Sequence, residues 1–246
     1  MPQTMDGLIF SRERSVSSAF IDSSTKLGIA QTVLMVQDNL TECFAALGCD
    51  GITWRERFGV FWVFTKTRVD FFRRPCWRDR ILVRTFPVAN AGFRAEVNTV
   101  LSDLDGTVLA AANQEACVLD LEKHRPVKLA ALPFPADSFP ARVCESPFSK
   151  FPQDFSEDDF AFEQAVRSQH IDMSRHMNNI EYIRLALSVL SDDFLQAHEP
   201  KSLEVHYTGE SREGQVLRVF SRTDGATTLA GIYESGRPVF AMQATF

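Results

Sequence analysis

The chain has 246 residues, 45% of them hydrophobic and 24% charged, with a formal net charge of −6. These figures exclude a disordered or collagen-like chain, and the acidic balance weighs against a protein dedicated to nucleic acid. No apolar run approaches the roughly 20 residues of a membrane span, and the N-terminus lacks the basic-then-apolar order of a secretory leader.

In chain order, Leu8 to Phe20 reads as strand-like, and Asp22-Ser23-Ser24 is a helix N-cap signal. Ile29, Val33, Val36, Leu40, Phe44 and Leu47 then recur at three- and four-residue steps, an amphipathic helix with Gly48 as its stop. From Gly59 the texture turns to strands: GVFWVFTKTRVDFF, RILVRTFPV, and a long pair broken by the hairpin signal Asp105-Gly106. Within these strands lies a basic group, Arg68, Arg73, Arg74, Arg78, Arg80 and Arg84, around Trp77. It reads either as a solvated strand edge or as a landing patch for an acidic partner.

A connector rich in Pro and Phe follows, from Pro126 to Phe155. Its phenylalanines predict that it packs on a surface rather than hanging free. Glu157-Asp158-Asp159 reads as a solvated turn.

The order of elements then repeats. Asp172-Met173-Ser174 precedes a helical stripe at Ile180, Ile183, Leu187, Leu190 and Phe194, and four strands follow with turns at Asp224-Gly225 and Ser235-Gly236. DSSTKLGIAQ at Asp22 matches DMSRHMNNIE at Asp172, and WRDRILV at Trp77 matches EGQVLRV at Glu213. The expectation is an α+β chain of two tandem copies: an N-terminal domain 1–125, a connector 126–155 and a C-terminal domain 156–246. Of the 21 phenylalanines, 17 lie at or before Phe162, which suits a first half that holds something greasy.

The polar residues separate the copies. The second has His176, Asn178 and Asn179 where the first has Lys26, Gly28 and Ile29. Acid, base and amide groups at a helix entrance suit the stabilisation of developing negative charge. The plainer reading makes Asp172 and Ser174 a helix cap and leaves Asn178 and Asn179 to satisfy turn backbone. His170, Asp172 and His176 have the outward look of a metal trio, but no further ligand cluster accompanies them. No metal and no cofactor is expected. The cysteines, Cys43, Cys49, Cys76, Cys117 and Cys144, are odd in number and without CxxC spacing. They predict neither a disulfide framework nor a zinc site, and a cytoplasmic setting.

From Asp172 to Tyr182 the residues spell Asp-x-Ser-x-His-x-Asn-Asn-x-x-Tyr. This resembles the Asp-x-Asn-x-His-Val-Asn-Asn-x-x-Tyr signature of acyl-acyl carrier protein thioesterases, a group with tandem hot-dog domains. LEVHYTGES, from Leu203 to Ser211, resembles the family's LEYRREC segment, with Glu210 at its glutamate and Ser211 at its cysteine. The resemblance implies a double hot-dog fold, each copy a long helix wrapped by an antiparallel sheet. It also implies hydrolysis of fatty acyl thioesters in the second copy, with the acyl chain held largely by the first.

Asp172, Ser174, His176 and Glu210 are then the candidate catalytic residues. Glu210 would serve as base or orienter of water, His176 as donor to the carbonyl oxygen or leaving thiol, and Asp172 as nucleophile, second base or orienter. Asn178, Asn179, Trp62, Arg73 and Arg74 are candidates for substrate binding, with acyl carrier protein as the expected partner. No nucleic acid and no membrane span is expected, and either a monomer or a homodimer fits. Two departures stand out: Ser174 replaces the family's asparagine, and Ser211 removes the cysteine as a nucleophile. The rival readings are a non-catalytic acyl-binding hot-dog protein and an acyl-CoA thioesterase.

Overall fold

A computed structural model describes residues 3–135, 139–152 and 154–246. The chain divides into two compact units, Met1–Pro147 and Phe148–Phe246.

The first unit holds β1 (Gln3–Asp6), β2 (Ile9–Ser15), α1 (Ile29–Ala46), α2 (Gly51–Phe58), β3 (Val60–Phe71), β4 (Arg80–Ala91), β5 (Arg94–Asp103), β6 (Val108–Asp120) and β7 (Arg125–Val127). Its sheet is antiparallel in the order β1-β2-β4-β5-β6-β3, and β7 pairs with β6. The predicted stripe of α1 is the face laid on β2, β4 and β5: Ile29, Val33, Val36, Leu40 and Phe44 are all buried. Gly48 stops the helix with φ +70°, the left-handed conformation that favours glycine.

The cap signal at Asp22-Ser23-Ser24 is corrected, because the N-cap of α1 is Gly28, with no side-chain bond. The short helix α2 escaped the reading of the sequence, although its ends are well marked. Asp50 accepts from the backbone N–H of Ile52 and Thr53, and Gly59 closes it at φ 67°. Its Trp54 is fully buried and stacks on Trp62, centroids 5.2 Å apart, with Phe44 and Phe134 packed around the pair.

The second unit holds β8 (Phe160–Ala165), α3 (Asn179–Leu187), α4 (Asp192–Ala197), β9 (Ser202–Tyr207), β10 (Val216–Asp224), β11 (Thr227–Glu234) and β12 (Arg237–Thr245). Its antiparallel order is β9-β12-β11-β10-β8. Taken strand for strand from the other end, this is the order β2-β4-β5-β6-β3 of the first unit. The tandem repeat read from the sequence is therefore a repeat of topology. Ser235 and Gly236, at φ 48° and 77°, form the tight turn between β11 and β12.

The stripe from Ile180 to Phe194 is two helices rather than one. The chain leaves α3 at Ser188, and Ser191 caps α4 by accepting from the Phe194 N–H at 3.2 Å. Serine competes well for such backbone donors, which makes it a poor residue to carry a helix through.

The connector packs, as its phenylalanines predict. Phe134 enters the aromatic core of the first unit. In the second unit Phe151 lies on the His206 ring at 4.6 Å, and Phe155 packs against Phe220 and Tyr233. Residues 136–138 and 153 of the connector lie outside the described residues. The acidic turn Glu157–Asp159 is an exposed single-turn helix, with Glu157 held by both guanidinium nitrogens of Arg218 at 2.8 and 2.9 Å.

All five cysteines are free thiols. Burial pushes Cys43 and Cys144 up to about 12, and raises Cys49 and Cys117 as well, so little thiolate forms at neutral pH. Cys76 is exposed. A native sample titrated with a chromogenic disulfide should therefore show one fast thiol, with the rest reacting as the chain unfolds. Two or more fast thiols would contradict the burial described here.

Candidate active site

In the second unit, the chain between β8 and α3 makes a compact loop. The Asp172 N–H donates to the His176 carbonyl and the Arg175 N–H to the Asp172 carbonyl, both at 3.0 Å, with Arg175 at φ 64°. Ile171 and Met177 pair across it, and the Asn178 N–H reaches the His170 carbonyl at 2.8 Å. A second tie runs from the Met177 N–H to the Ser211 carbonyl at 2.8 Å. It draws the loop against the segment that follows β9.

That segment is fixed on its other side too. Thr208 and Gly209 both donate to the Val239 carbonyl, and a Cβ on Gly209 would meet Val239 Cγ1 at 2.9 Å. Glycine is needed there for that close approach.

Between these ties sits the polar cluster. His176 Nε2 lies 3.0 Å from Glu210 Oε2, with the His176 side chain 23% exposed and that of Glu210 56%. Asp172 Oδ1 accepts from the Ser174 N–H at 2.9 Å and from the Ser174 hydroxyl.

The structure thus brings His176 and Glu210 into contact and sets Asp172 and Ser174 in the same loop. Ser174 has committed its O–H to Asp172, so it orients that carboxylate. The helix cap is not Asp172 but Asn178, whose side-chain oxygen accepts from the Ile180 N–H at 2.9 Å. Asn179 is the first residue of α3.

Three of the other four histidines have structural partners. His170 Nδ1 accepts from the Arg167 N–H, buried His206 bonds Glu204 at 2.9 Å, and His198 bonds the Phe194 carbonyl. Among the described residues no group of three or more His, Cys, Asp or Glu is placed to hold a metal ion.

The first unit contains the same loop, bond for bond. Asp22 N–H donates to the Lys26 carbonyl, Thr25 (φ 62°) to Asp22, Gly28 to Phe20 and Leu27 to Pro75. Ser24 donates to Asp22 Oδ1 from both its N–H and its hydroxyl. Since Leu27–Pro75 corresponds to Met177–Ser211, Arg74 stands where Glu210 stands in the second unit. The bonds Val16–Asp79 and Val166–Gln215 confirm that alignment.

Arg74 is 5% exposed, and its guanidinium bonds Asp22 Oδ2, the Ser24 hydroxyl at 3.2 Å and the Leu27 carbonyl at 3.4 Å. This corrects the reading of Arg74 as part of a surface patch, because its donors are turned inward onto the loop. Arg73 is different: its side chain is 57% exposed and pairs with Asp103 at 3.0 Å. Trp62 is buried in the aromatic cluster and donates from Nε1 to the Cys49 carbonyl at 2.7 Å.

The comparisons with known proteins match this two-unit plan. The family model described as "Acyl-ACP thioesterase N-terminal domain" matches residues 7–131, and "Acyl-ACP thioesterase C-terminal domain" matches residues 154–236. A chloroplastic dodecanoyl-acyl-carrier-protein hydrolase of Cinnamomum camphora is 22% identical over 94% of this chain and 65% of its own length. A chloroplastic palmitoyl-acyl carrier protein thioesterase of Cuphea hookeriana is 24% identical over 89% of this chain and 56% of its own. The chain therefore spans less than two thirds of the length of these relatives.

Among solved structures, an acyl-ACP thioesterase from Bacteroides thetaiotaomicron superposes with a TM-score of 0.84, at 16% identity over 97% of this chain and 98% of that one. A 12:0-ACP thioesterase from Umbellularia californica gives 0.84 at 17% identity, covering 98% of each. The fold is the tandem hot-dog fold of these proteins.

Proposed function

We propose that this chain, which belongs to the acyl-ACP thioesterase family, hydrolyses fatty acyl thioesters and releases the free fatty acid. The carrier in this reading is acyl carrier protein, as the names of the relatives suggest. The observation that carries the proposal is the His176–Glu210 contact at 3.0 Å, with the Asp172 carboxylate held in the same loop by Ser174.

The chemistry follows from these groups. Water attacks the thioester carbonyl, the carbonyl carbon becomes tetrahedral, and the carbon–sulfur bond breaks to release the carrier thiol. Glu210 accepts or orients the proton of the attacking water, and His176, held on Glu210, supplies a proton to the oxyanion or to the departing sulfur. Asp172 Oδ2 is positioned as a second acceptor, with Ser174 holding the opposite oxygen.

Asn178 and Asn179 present their side chains at the entrance of α3, where the helix N-terminus favours negative charge. The N-terminal domain 1–125, with Trp62 in its aromatic cluster, takes the acyl chain, and the connector 126–155 leads to the catalytic domain 156–246. Arg73 is the exposed cation offered to an acidic carrier. The five free cysteines suit a reducing, cytoplasmic compartment, and the chain acts as a monomer or a homodimer. Among the described residues no helix is long and apolar enough to cross a membrane.

Free-thiol release from a panel of acyl-ACP and acyl-CoA substrates tests the proposal. The expected result is turnover with a higher kcat/KM for the protein carrier. No release at any chain length would leave a non-catalytic acyl-binding protein, and a preference for CoA would reassign the carrier.

A further inference from the structure

The two loops share one backbone, so the positions at which their side chains differ in kind single out what the second unit has kept or added. Four of these differences belong to the cluster already described: Lys26 for His176, Gly28 for Asn178, Ile29 for Asn179 and Arg74 for Glu210. Two others do not. Tyr182, in the first turns of α3, corresponds to Thr32, and Ser211 corresponds to Pro75.

In the first unit neither position asks anything of its surroundings. Thr32 satisfies its own hydroxyl on the Gly28 carbonyl at 2.8 Å, and Pro75 has no polar hydrogen at all. In the second unit both positions carry hydroxyls, at 2% exposure for Tyr182 and 0% for Ser211. Neither Tyr182 Oη nor Ser211 Oγ closes a hydrogen bond of good geometry, and the weak contact left to them is with each other. A buried hydroxyl so poorly partnered is destabilising, and Phe and Ala would fill the same space without that cost. Packing alone gives no reason to keep the pair.

Their location supplies the reason. The Tyr182 ring is stacked on Phe240, centroids 5.7 Å apart and planes at 15°, and Phe240 is backed by Tyr207 at 5.4 Å. The ring is thereby held in place, with its hydroxyl toward Ser211. Burial pushes the phenol up from its ordinary range, the Ser211 side chain and backbone oppose that rise, and the charges of Glu210 and Asp172 add to it. The hydroxyl therefore lies in the field of both carboxylates. Ser211 itself is the residue whose carbonyl ties down Met177, and its neighbour Glu210 reaches His176.

We propose that Tyr182 is a positioning residue for Glu210. Its phenol acts together with the Ser211 hydroxyl to hold the backbone at positions 210 and 211. That keeps the Glu210 carboxylate on His176 while charge moves between them. The proposal rests on the reading of the cluster as a thioester hydrolase, and it extends that machinery by two residues that touch no substrate.

Tyr182→Phe keeps the ring on Phe240 and removes only the hydroxyl. Thiol release from acyl-ACP should fall about 10-fold in kcat, with KM within about 2-fold, because a misplaced general base slows chemistry without loosening binding. The pH–rate profile should also be displaced. A urea melt should show stability unchanged or raised, since a poorly partnered buried hydroxyl has been deleted. Ser211→Ala should act in the same sense, and the double variant should be no worse than either single one, the mark of a shared role.

Wild-type kcat and an unmoved pH profile in Tyr182→Phe would overturn the proposal. A second readout needs no turnover: the His176 imidazole resonances at fixed pH should move in Tyr182→Phe in the direction seen for Glu210→Gln. Resonances that stay in place would also overturn it. If the wild-type protein released no thiol, the hydrolase reading would fall, while this measurement would still decide whether Tyr182 positions Glu210.

Discussion

Glu210→Ala and His176→Ala should each lower thiol release from acyl-ACP by at least about 100-fold, the usual scale for a group that moves a proton in the transition state. The losses should appear in kcat, because both side chains act where charge develops. Stability should hardly change, since Glu210 is more than half exposed and a polar contact so open to water contributes little. Glu210→Gln is the sharper variant. It keeps the shape and a hydrogen bond to His176 while removing the basic oxygen, so a loss close to that of alanine would assign the effect to proton transfer. The double variant should fall little below either single one, because the two residues work as one unit. Either alanine variant turning over at the wild-type rate would take its residue out of the mechanism.

Arg74→Ala should destabilise the protein by about 3 kcal/mol, the lower end of the cost of orphaning one member of a buried ion pair. The lower end applies because the partner, Asp22, is 28% exposed and can recover some hydration. Three acceptors lose their donor at once: Asp22 Oδ2, the Ser24 hydroxyl and the Leu27 carbonyl. Arg74→Lys should restore only part of the loss, because an ammonium cannot reproduce the planar fork that meets all three. Urea denaturation at neutral pH measures both, and a loss below about 1 kcal/mol for alanine would show that the clamp matters little to the fold.

Much of this fold was legible in the sequence because its signals are local. Apolar periodicity marked α1, and Gly48, Asp105-Gly106 and Ser235-Gly236 marked stops and turns. Each depends on backbone geometry that a few neighbouring residues decide. What escaped depended on smaller or longer-range terms. The helix α2 has only eight residues and one buried side chain, Trp54, so it has no stripe to detect. The split of α3 from α4 turns on a cap made by Ser191, against a hydrophobic spacing that continues across it.

The site was legible in the same measure. The cluster at Asp172–Asn179 is contiguous, and its contrast with the first copy needed no structure. Assigning roles within it did need one. Only the bonds show that Asn178 caps the helix, that Asp172 turns the loop, and that the Ser174 hydroxyl is already spent. The misreading of Arg74 had a remedy in the sequence itself. The match of Trp77 with Glu213, carried back three residues, sets Arg74 opposite Glu210. A row of arginines suggested a charged surface instead, because a run of like charges is normally solvated and burial is invisible in a one-dimensional pattern.

The guanidinium of Arg74 on Asp22 also bears on how such a chain can change. In an assembly of identical subunits every substitution is made in all copies, so a cation placed on the aspartate we propose for the reaction would silence every site together. Two copies fused in one polypeptide are released from that symmetry. One loop can accept a change of sign that the other cannot, and hold its aspartate as an anchor of the fold. Difference between the halves is then a freedom conferred by covalent linkage, and residue 74, Arg where the second unit has Glu210, is a place where the halves differ in this way.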